Sequence, residues 1–216
     1  MLYRYLLVVR FALINAVATG LLGAAYLQGW LDAVLNAHLV ELSVIIFLVF
    51  LYGLVLCGVL VLRHGKELDD INSGNPTPQS RAGKFLARTK NSPPESRSIL
   101  VMALRLKITD TIVVVRNVAN SLVLLGLIGT VIGFIIALSG VDPKAVSEVE
   151  NVAAMISTLI SGMSVALNTT LVGAVLYVWL IINYGILTSG TVELITTIIE
   201  TRESRAPGGD ANATGP

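Results

Sequence analysis

Residues 118–138 read VANSLVLLGLIGTVIGFIIAL, a stretch without a single charged side chain. A hydrocarbon bilayer about 30 Å thick is crossed by roughly 20 helical residues, because each residue adds about 1.5 Å. A helix or strand in water would interleave apolar residues with polar ones, and this stretch does not. It therefore has the length and the polarity of a transmembrane helix.

Three further runs have the same character, at residues 5–27, 39–62 and 152–182. Hydrophobic residues make up 54% of the 216-residue chain and charged residues only 13%. A soluble domain has roughly 25% charged residues, so this composition calls for lipid as the solvent. We predict an all-α integral membrane protein with four transmembrane helices.

The distribution of basic residues predicts the orientation of these spans. All but one of the 15 Lys and Arg residues lie before or within the first two turns of the first span, between the second and third, or after the fourth. Only Lys144 lies in the loop between the third and fourth spans. Positively charged loops stay in the cytoplasm, so both termini are predicted to be cytoplasmic.

The same features divide the chain into segments. Residues 1–63 are predicted to form a transmembrane hairpin, 64–117 a cytoplasmic segment, and 118–187 a second transmembrane hairpin. Apolar residues recur at helical spacing from Glu95 onward and through a cytoplasmic helix at 188–205. The third and fourth helices are therefore predicted to extend into the cytoplasm. The tail at 206–216 is rich in Gly, Ala and Pro and is predicted to be disordered.

Small residues repeat at helical spacing in the third and fourth spans. Such residues let two helix backbones approach closely in lipid, where packing itself must drive association. We predict one packing face on each span, with Thr169 sharing the face of the fourth. The packing residues are Gly126, Gly129, Gly133 and Ala137 on the third span, and Gly162, Ala166 and Gly173 on the fourth.

The fourth span has another face, which is polar. It carries Asn168, at helical spacing from Ser157, Ser161 and Ser164. Hydrocarbon offers no hydrogen-bond partner, so this face is expected to turn toward protein or water. Hydrogen bonding between helices is one use of such side chains, and lining an ion pathway is another.

Ionisable side chains are absent from the centres of the third and fourth spans. A protein that moves protons on its own needs such a group as a relay. If this chain conducts ions, the passage is lined by hydroxyls and water alone, or a second polypeptide supplies the acid.

Neither an enzyme nor a nucleic-acid-binding protein is indicated. Cys57, the single cysteine, lies in an apolar run, and His38 and His64 lie at opposite ends of the second span, where both are predicted to be interfacial. No catalytic residue, cofactor site or metal site is predicted from this pattern. The formal net charge of +1 lacks the basic excess that phosphate binding requires.

Two motifs resemble the paired signature of the MotA/TolQ/ExbB proton channel family: GLIGTVIG at 126–133 and MSVALNTTLVGA at 163–174. The resemblance implies a bacterial inner-membrane pentamer of this subunit around two copies of a single-span, MotB/TolR/ExbD-like partner. The partner's membrane aspartate would carry H⁺ or Na⁺. By position, Thr130 and Thr170 match the family's channel-facing threonines. Thr169 is their neighbour, and Asn168 adds polarity beside them.

The chain also departs from the family's better-known branches. Its cytoplasmic segment is shorter than that of flagellar stators. TolQ- and ExbB-like proteins usually have three spans and a glutamate in the last, where this chain has Val165. A divergent branch is the interpretation we favour. A non-conducting four-span scaffold and a small secondary transporter are the alternatives, and neither the ion nor the process driven follows from the sequence.

Overall fold

Four long helices make up the computed structural model, which describes residues 2–28, 40–72, 83, 94–141 and 149–204. They are α1 (Leu2–Leu27), α2 (Val40–Asn72), α3 (Pro94–Ser139) and α4 (Val149–Ser204). These described residues contain no strand, and all four helices are long and apolar enough to cross a membrane. The prediction of an all-α membrane protein with four spanning helices is confirmed.

Three of the helices are longer than the apolar runs that predicted them. α2 continues past residue 62 to Asn72, where Pro, Ser, Gly and Asn follow in the sequence. α3 begins at Pro94, and α4 continues without a break through residues 188–204. Their extension into the cytoplasm stays a prediction. The tail at 206–216, His38 and most of the segment 73–93 lie outside the described residues.

Segments of these helices group into two compact units. The first unit consists of Met1–Ile14, Leu56–Val114 and Asn183–Pro216. The second unit consists of Asn15–Val55 and Val115–Ile182. The second unit holds both family-like motifs and all of the predicted site residues.

In the first unit, α2 and α4 meet through a small apolar core. Leu68, Ile71, Leu194 and Ile198 are buried together. Three partly buried residues of α3 complete it, namely Leu100, Val101 and Leu104. Apolar side chains at spacings of three and four on each helix explain this packing, because they fall on one helix face.

A buried polar pair accompanies this core. The Nδ1 atom of His64 on α2 lies 3.4 Å from the Thr191 hydroxyl on α4. Both side chains are only 2% exposed. The sequence predicted an interfacial His64, and the structure encloses its side chain among the protein's own helices. Burial of these polar groups is tolerated where they bond to one another.

Shortening Leu194 is expected to destabilise this core. Leu194 is fully buried, whereas Val192, two residues before it on α4, is 58% exposed. Leu194→Ala should lower the free energy of unfolding in detergent by about 2–5 kcal/mol, because it removes packed methyl groups and leaves a cavity. Val192→Ala is the matched control, and an equal loss in both variants would contradict the core assignment.

Candidate functional site

The candidate site is the contact between α3 and α4 in the second unit, where two small-residue faces meet. A Cβ atom added to Gly133 would lie 2.6 Å from both the Ala166 nitrogen and the Gly162 oxygen. One added to Gly162 would lie 2.7 Å from the Ala137 Cα. Real Cβ contacts are almost never this short, so only glycine fits at these two positions. The backbones of α3 and α4 are therefore in direct contact.

The contact continues along both helices. A Cβ atom on Gly173 would lie 2.8 Å from the Leu122 oxygen and 3.1 Å from the Gly126 Cα. One on Gly129 would lie 2.5 Å from the Cβ of Thr169. The structure thus places the packing residues predicted from the sequence on the facing sides of α3 and α4.

The two adjacent threonines of α4 hold different positions in this contact. Thr169 is 2% exposed, and its hydroxyl donates within α4 to the Val165 oxygen at 3.0 Å and the Ala166 oxygen at 3.2 Å. The Thr170 hydroxyl instead donates across the contact to the backbone oxygen of Gly126, at 3.2 Å. Of the two, only Thr170 links α4 to α3 through its hydroxyl.

The other two predicted pathway residues, Thr130 and Asn168, lie outside the close contact between α3 and α4. Thr130, one turn beyond Gly126 on α3, donates its hydroxyl to the Leu127 oxygen of its own helix and is partly exposed. Asn168 is partly buried on α4, on a different side from Thr169, and takes part in further interactions. The structure therefore brings Thr169 and Thr170 to α3, and it leaves Asn168 beside the contact.

A polar link between α1 and α4 was not anticipated from the sequence. The Trp179 indole nitrogen donates to the Asn15 side-chain oxygen at 2.9 Å, and the Trp179 ring lies 4.9 Å from that of Phe50. These residues are far apart in the chain, so no local spacing pairs them. The isolated amide in the apolar run of α1 was the one available signal, since such a group needs a partner in lipid.

The comparison with known families covers both helices of this site. The model of the MotA/TolQ/ExbB proton channel family matches residues 79–200. The chain belongs to that family. The resemblance first noted in the two motifs is thereby confirmed. No curated protein and no solved structure matches the chain.

The chemistry available at this contact of the MotA/TolQ/ExbB chain is that of hydroxyls and backbone carbonyls. A hydroxyl oxygen can coordinate a cation and its O–H group can donate to a carboxylate, but hydroxyls do not ionise near neutral pH. Val165, which the resemblance matches to the glutamate of TolQ- and ExbB-like proteins, is 3% exposed. Among the described residues, no group of three or more His, Cys, Asp or Glu could hold a metal ion. The spans at 118–138 and 152–182 contain no Asp, Glu, Lys, Arg or His.

The link between Asn15 and Trp179 is expected to contribute measurable stability. Asn15→Leu and Trp179→Phe each remove one partner, and hydrogen bonds inside membranes are worth about 0.6–1.7 kcal/mol in double-mutant cycles. We expect a coupling energy in that range when unfolding in detergent is measured for both single variants and the double variant. A coupling energy of zero would contradict the bond, since the two losses would then simply add.

Proposed function

We propose that this chain is the ring-forming subunit of an ion-driven channel, which couples H⁺ or Na⁺ flow to mechanical work together with a single-span partner. The observation that carries the proposal is the Thr170 hydroxyl on a tightly packed α3–α4 pair whose spans, 118–138 and 152–182, contain no Asp, Glu, Lys, Arg or His. A carboxylate at low dielectric prefers to be neutral or bound to a cation. Hydroxyls beside it can solvate it while the ion exchanges.

In this proposal Thr130, Thr170 and Asn168 border the ion pathway, and Thr169 supports it from inside the α3–α4 contact. Among these residues, Thr170 is best suited to contact the partner's aspartate, because Thr170 is exposed whereas Thr169 is enclosed between α3 and α4. Thr169 then shapes the contact against Gly129 rather than meeting the ion. Hydroxyl ligands suit both H⁺ transfer to a carboxylate and Na⁺ coordination, so the proposal holds for either ion.

Assembly into a homo-oligomer, a pentamer by family resemblance, agrees with the outer surfaces of the site helices. Both helices expose large apolar side chains in the second unit, among them Leu124, Val131 and Leu138 on α3, and Ile160, Leu167 and Leu171 on α4. Such surfaces are covered by lipid or by other helices. We place both termini, the segment 64–117 and the helix 188–205 on the cytoplasmic side of the bacterial inner membrane.

A non-conducting scaffold is the second candidate. The observation in its favour is that the described threonine hydroxyls of the site all bond to backbone oxygens, as they would in a purely structural contact. A small secondary transporter has less support, since no Pro interrupts any of the four helices after its first residue.

The deciding experiment is the mass of the complex, extracted mildly from its native membrane and measured by native mass spectrometry. A pentamer that carries a small single-span protein with a membrane aspartate would support the channel. A monomer, or a dimer without such a companion, would support the scaffold. Ion flux in proteoliposomes that contain both proteins would then test conduction directly.

A further inference from the structure

One titratable side chain that the proposed ion pathway does not use is enclosed in the first unit. His64 on α2 is 2% exposed. Among the described residues, it is the only buried one whose charge ordinarily changes between pH 5 and 8. The buried residues one turn away from the pair of His64 and Thr191 are apolar on both helices: Val61 and Leu68 on α2, and Leu187 and Leu194 on α4. A change of charge on His64 therefore takes place inside the protein rather than in water.

The hydrogen bonds of this pair fit a neutral histidine. The Thr191 hydroxyl has one hydrogen, which it donates to the Leu187 oxygen at 2.9 Å. Its oxygen is then the acceptor in the 3.4 Å contact with His64, so Nδ1 carries the ring hydrogen. In a neutral ring the other nitrogen, Nε2, carries none, and this atom is buried as well. Protonation therefore adds a hydrogen and a full positive charge at an enclosed atom.

The carboxylate best placed to offset that charge is Glu67, whose side chain is 14% exposed. It lies three residues after His64 and about 60° around α2. Its Oε1 atom is 4.0 Å from the Nε atom of Arg63, so part of its charge is already balanced. Asp69 and Asp70 lie about 140° and about 120° around the helix from His64, on its far side. Compensation from α2 itself is therefore incomplete.

The neighbouring helices do not complete it. Among the residues of the first unit whose burial the structure describes, the charged ones of α1, α3 and α4 are all exposed: Arg10, Arg105, Lys107, Asp110, Glu193 and Glu200. Lys66 on α2 is exposed as well. A buried charge without full compensation is strongly unfavourable, so the folded chain resists protonation of His64.

The contact beside His64 joins three helices. Leu68, one turn further along α2, belongs to the apolar core with Leu194 and Ile198, and α3 packs against that core. α2 ends at Asn72, about two turns past His64, so local opening of its last turns lets a proton reach the ring. The segment 64–117 is predicted to be cytoplasmic from its basic residues, so that proton comes from the cytoplasm.

We propose that His64 is a sensor of cytoplasmic pH. Neutral His64 packs with Thr191 between α2 and α4, and its protonation weakens that contact and loosens the ends of the two helices. The sensor goes beyond the proposed function, because it requires neither the partner nor ion flow. If the channel carries protons, His64 lies on the side of the membrane at which they arrive.

The test is the equilibrium between the folded and unfolded full-length chain in detergent, at about pH 7.5 and about pH 5.5, on either side of the ordinary histidine pKa of about 6.5. If only the unfolded chain takes up the proton, the folded-to-unfolded ratio falls about tenfold between these two conditions. The stabilisation is fully present above the pKa of the unfolded chain and is lost below it. His64→Gln should lessen the fall by that factor. His38→Gln, which replaces the other histidine, should retain it.

Equal falls in the wild-type chain and in His64→Gln would overturn the sensor. So would greater stability of the wild-type chain at the lower pH, which would mean that Glu67 attracts the charge more strongly than burial opposes it. If His64→Gln does not fold, nuclear magnetic resonance of the two histidine rings of the wild-type chain decides the question, with His38→Gln used to assign the signals. A His64 signal that titrates as in an unfolded chain contradicts the proposal.

Amide hydrogen exchange shows where the chain loosens. After correction for the intrinsic effect of pH on exchange, residues 64–72 and 187–198 should exchange faster at the lower pH in the wild-type chain but not in His64→Gln. Uniform acceleration along all four helices would refute a local contact at His64. Ion flux does not enter these measurements, so a failed sensor leaves the proposed function standing, and an absence of ion flux leaves the sensor standing.

Discussion

Thr170→Val is expected to abolish ion-driven work while the complex stays assembled. The substitution removes the hydroxyl that reaches the Gly126 oxygen and nearly preserves the side-chain volume. The loss of one hydrogen bond between helices costs only about 0.6–2 kcal/mol, which the many close contacts of α3 with α4 tolerate. If the hydroxyl also serves the partner's carboxylate, its absence removes the step on which ion exchange depends.

Two matched variants separate the pathway role of Thr170 from its packing role. Thr170→Ser keeps the hydroxyl and should retain most of the flux. Thr169→Val removes a hydroxyl that bonds only to its own helix, so flux should persist. Flux is measured in proteoliposomes with the partner present, and the mass of the complex is measured in parallel. Wild-type flux in Thr170→Val, with an intact complex, would defeat the assignment.

Gly133→Val should separate α3 from α4 and prevent assembly. A Cβ atom at Gly133 meets backbone atoms of Gly162 and Ala166 at 2.6 Å, and backbone cannot swing aside as a long side chain can. Overpacking costs about 1–3 kcal/mol even in cores that adjust. We expect the upper end of that range or more here, measured as the free energy of unfolding in detergent. The native complex should be lost at the same time.

The control for Gly133→Val is a glycine with open space around it. A Cβ atom at Gly20 of α1, or at Gly185 of α4, would meet nothing within 4 Å. Gly20→Ala and Gly185→Ala should change stability by no more than about 1 kcal/mol, and helix propensity favours the alanine. If Gly133→Val were as mild as these two, the close approach of α3 and α4 would be wrong.

The four spanning helices and the family could be predicted because each depends on short continuous stretches of sequence, namely apolar runs and motifs. An uncharged run of about 20 residues must satisfy its backbone hydrogen bonds internally in lipid, and a helix does this without help from other segments. The glycines of α3 likewise indicated a close helix contact from their spacing alone. The motifs at 126–133 and 163–174 lie inside the range matched by the family.

The faces of α4 required the tertiary structure. Its sequence offers two candidate faces, one built on Gly162 and Ala166 and the other on Asn168, and both could turn toward protein. The face of Gly162 and Ala166 is the one that packs against α3, because its small residues lie directly against Gly133. Whether Thr169 or Thr170 reaches across is then decided by the 100° between successive residues.

The sequence by itself determined that this is a membrane protein with four helices long and apolar enough to span the bilayer, because continuous apolar runs indicate both. It also determined the channel family, because two short motifs indicate it. Only the tertiary structure decided that Asn15 bonds to Trp179 and that His64 is enclosed. The physical reason is that partners and burial depend on how helices from distant parts of the chain pack side by side. The spacing within any one helix does not contain that information.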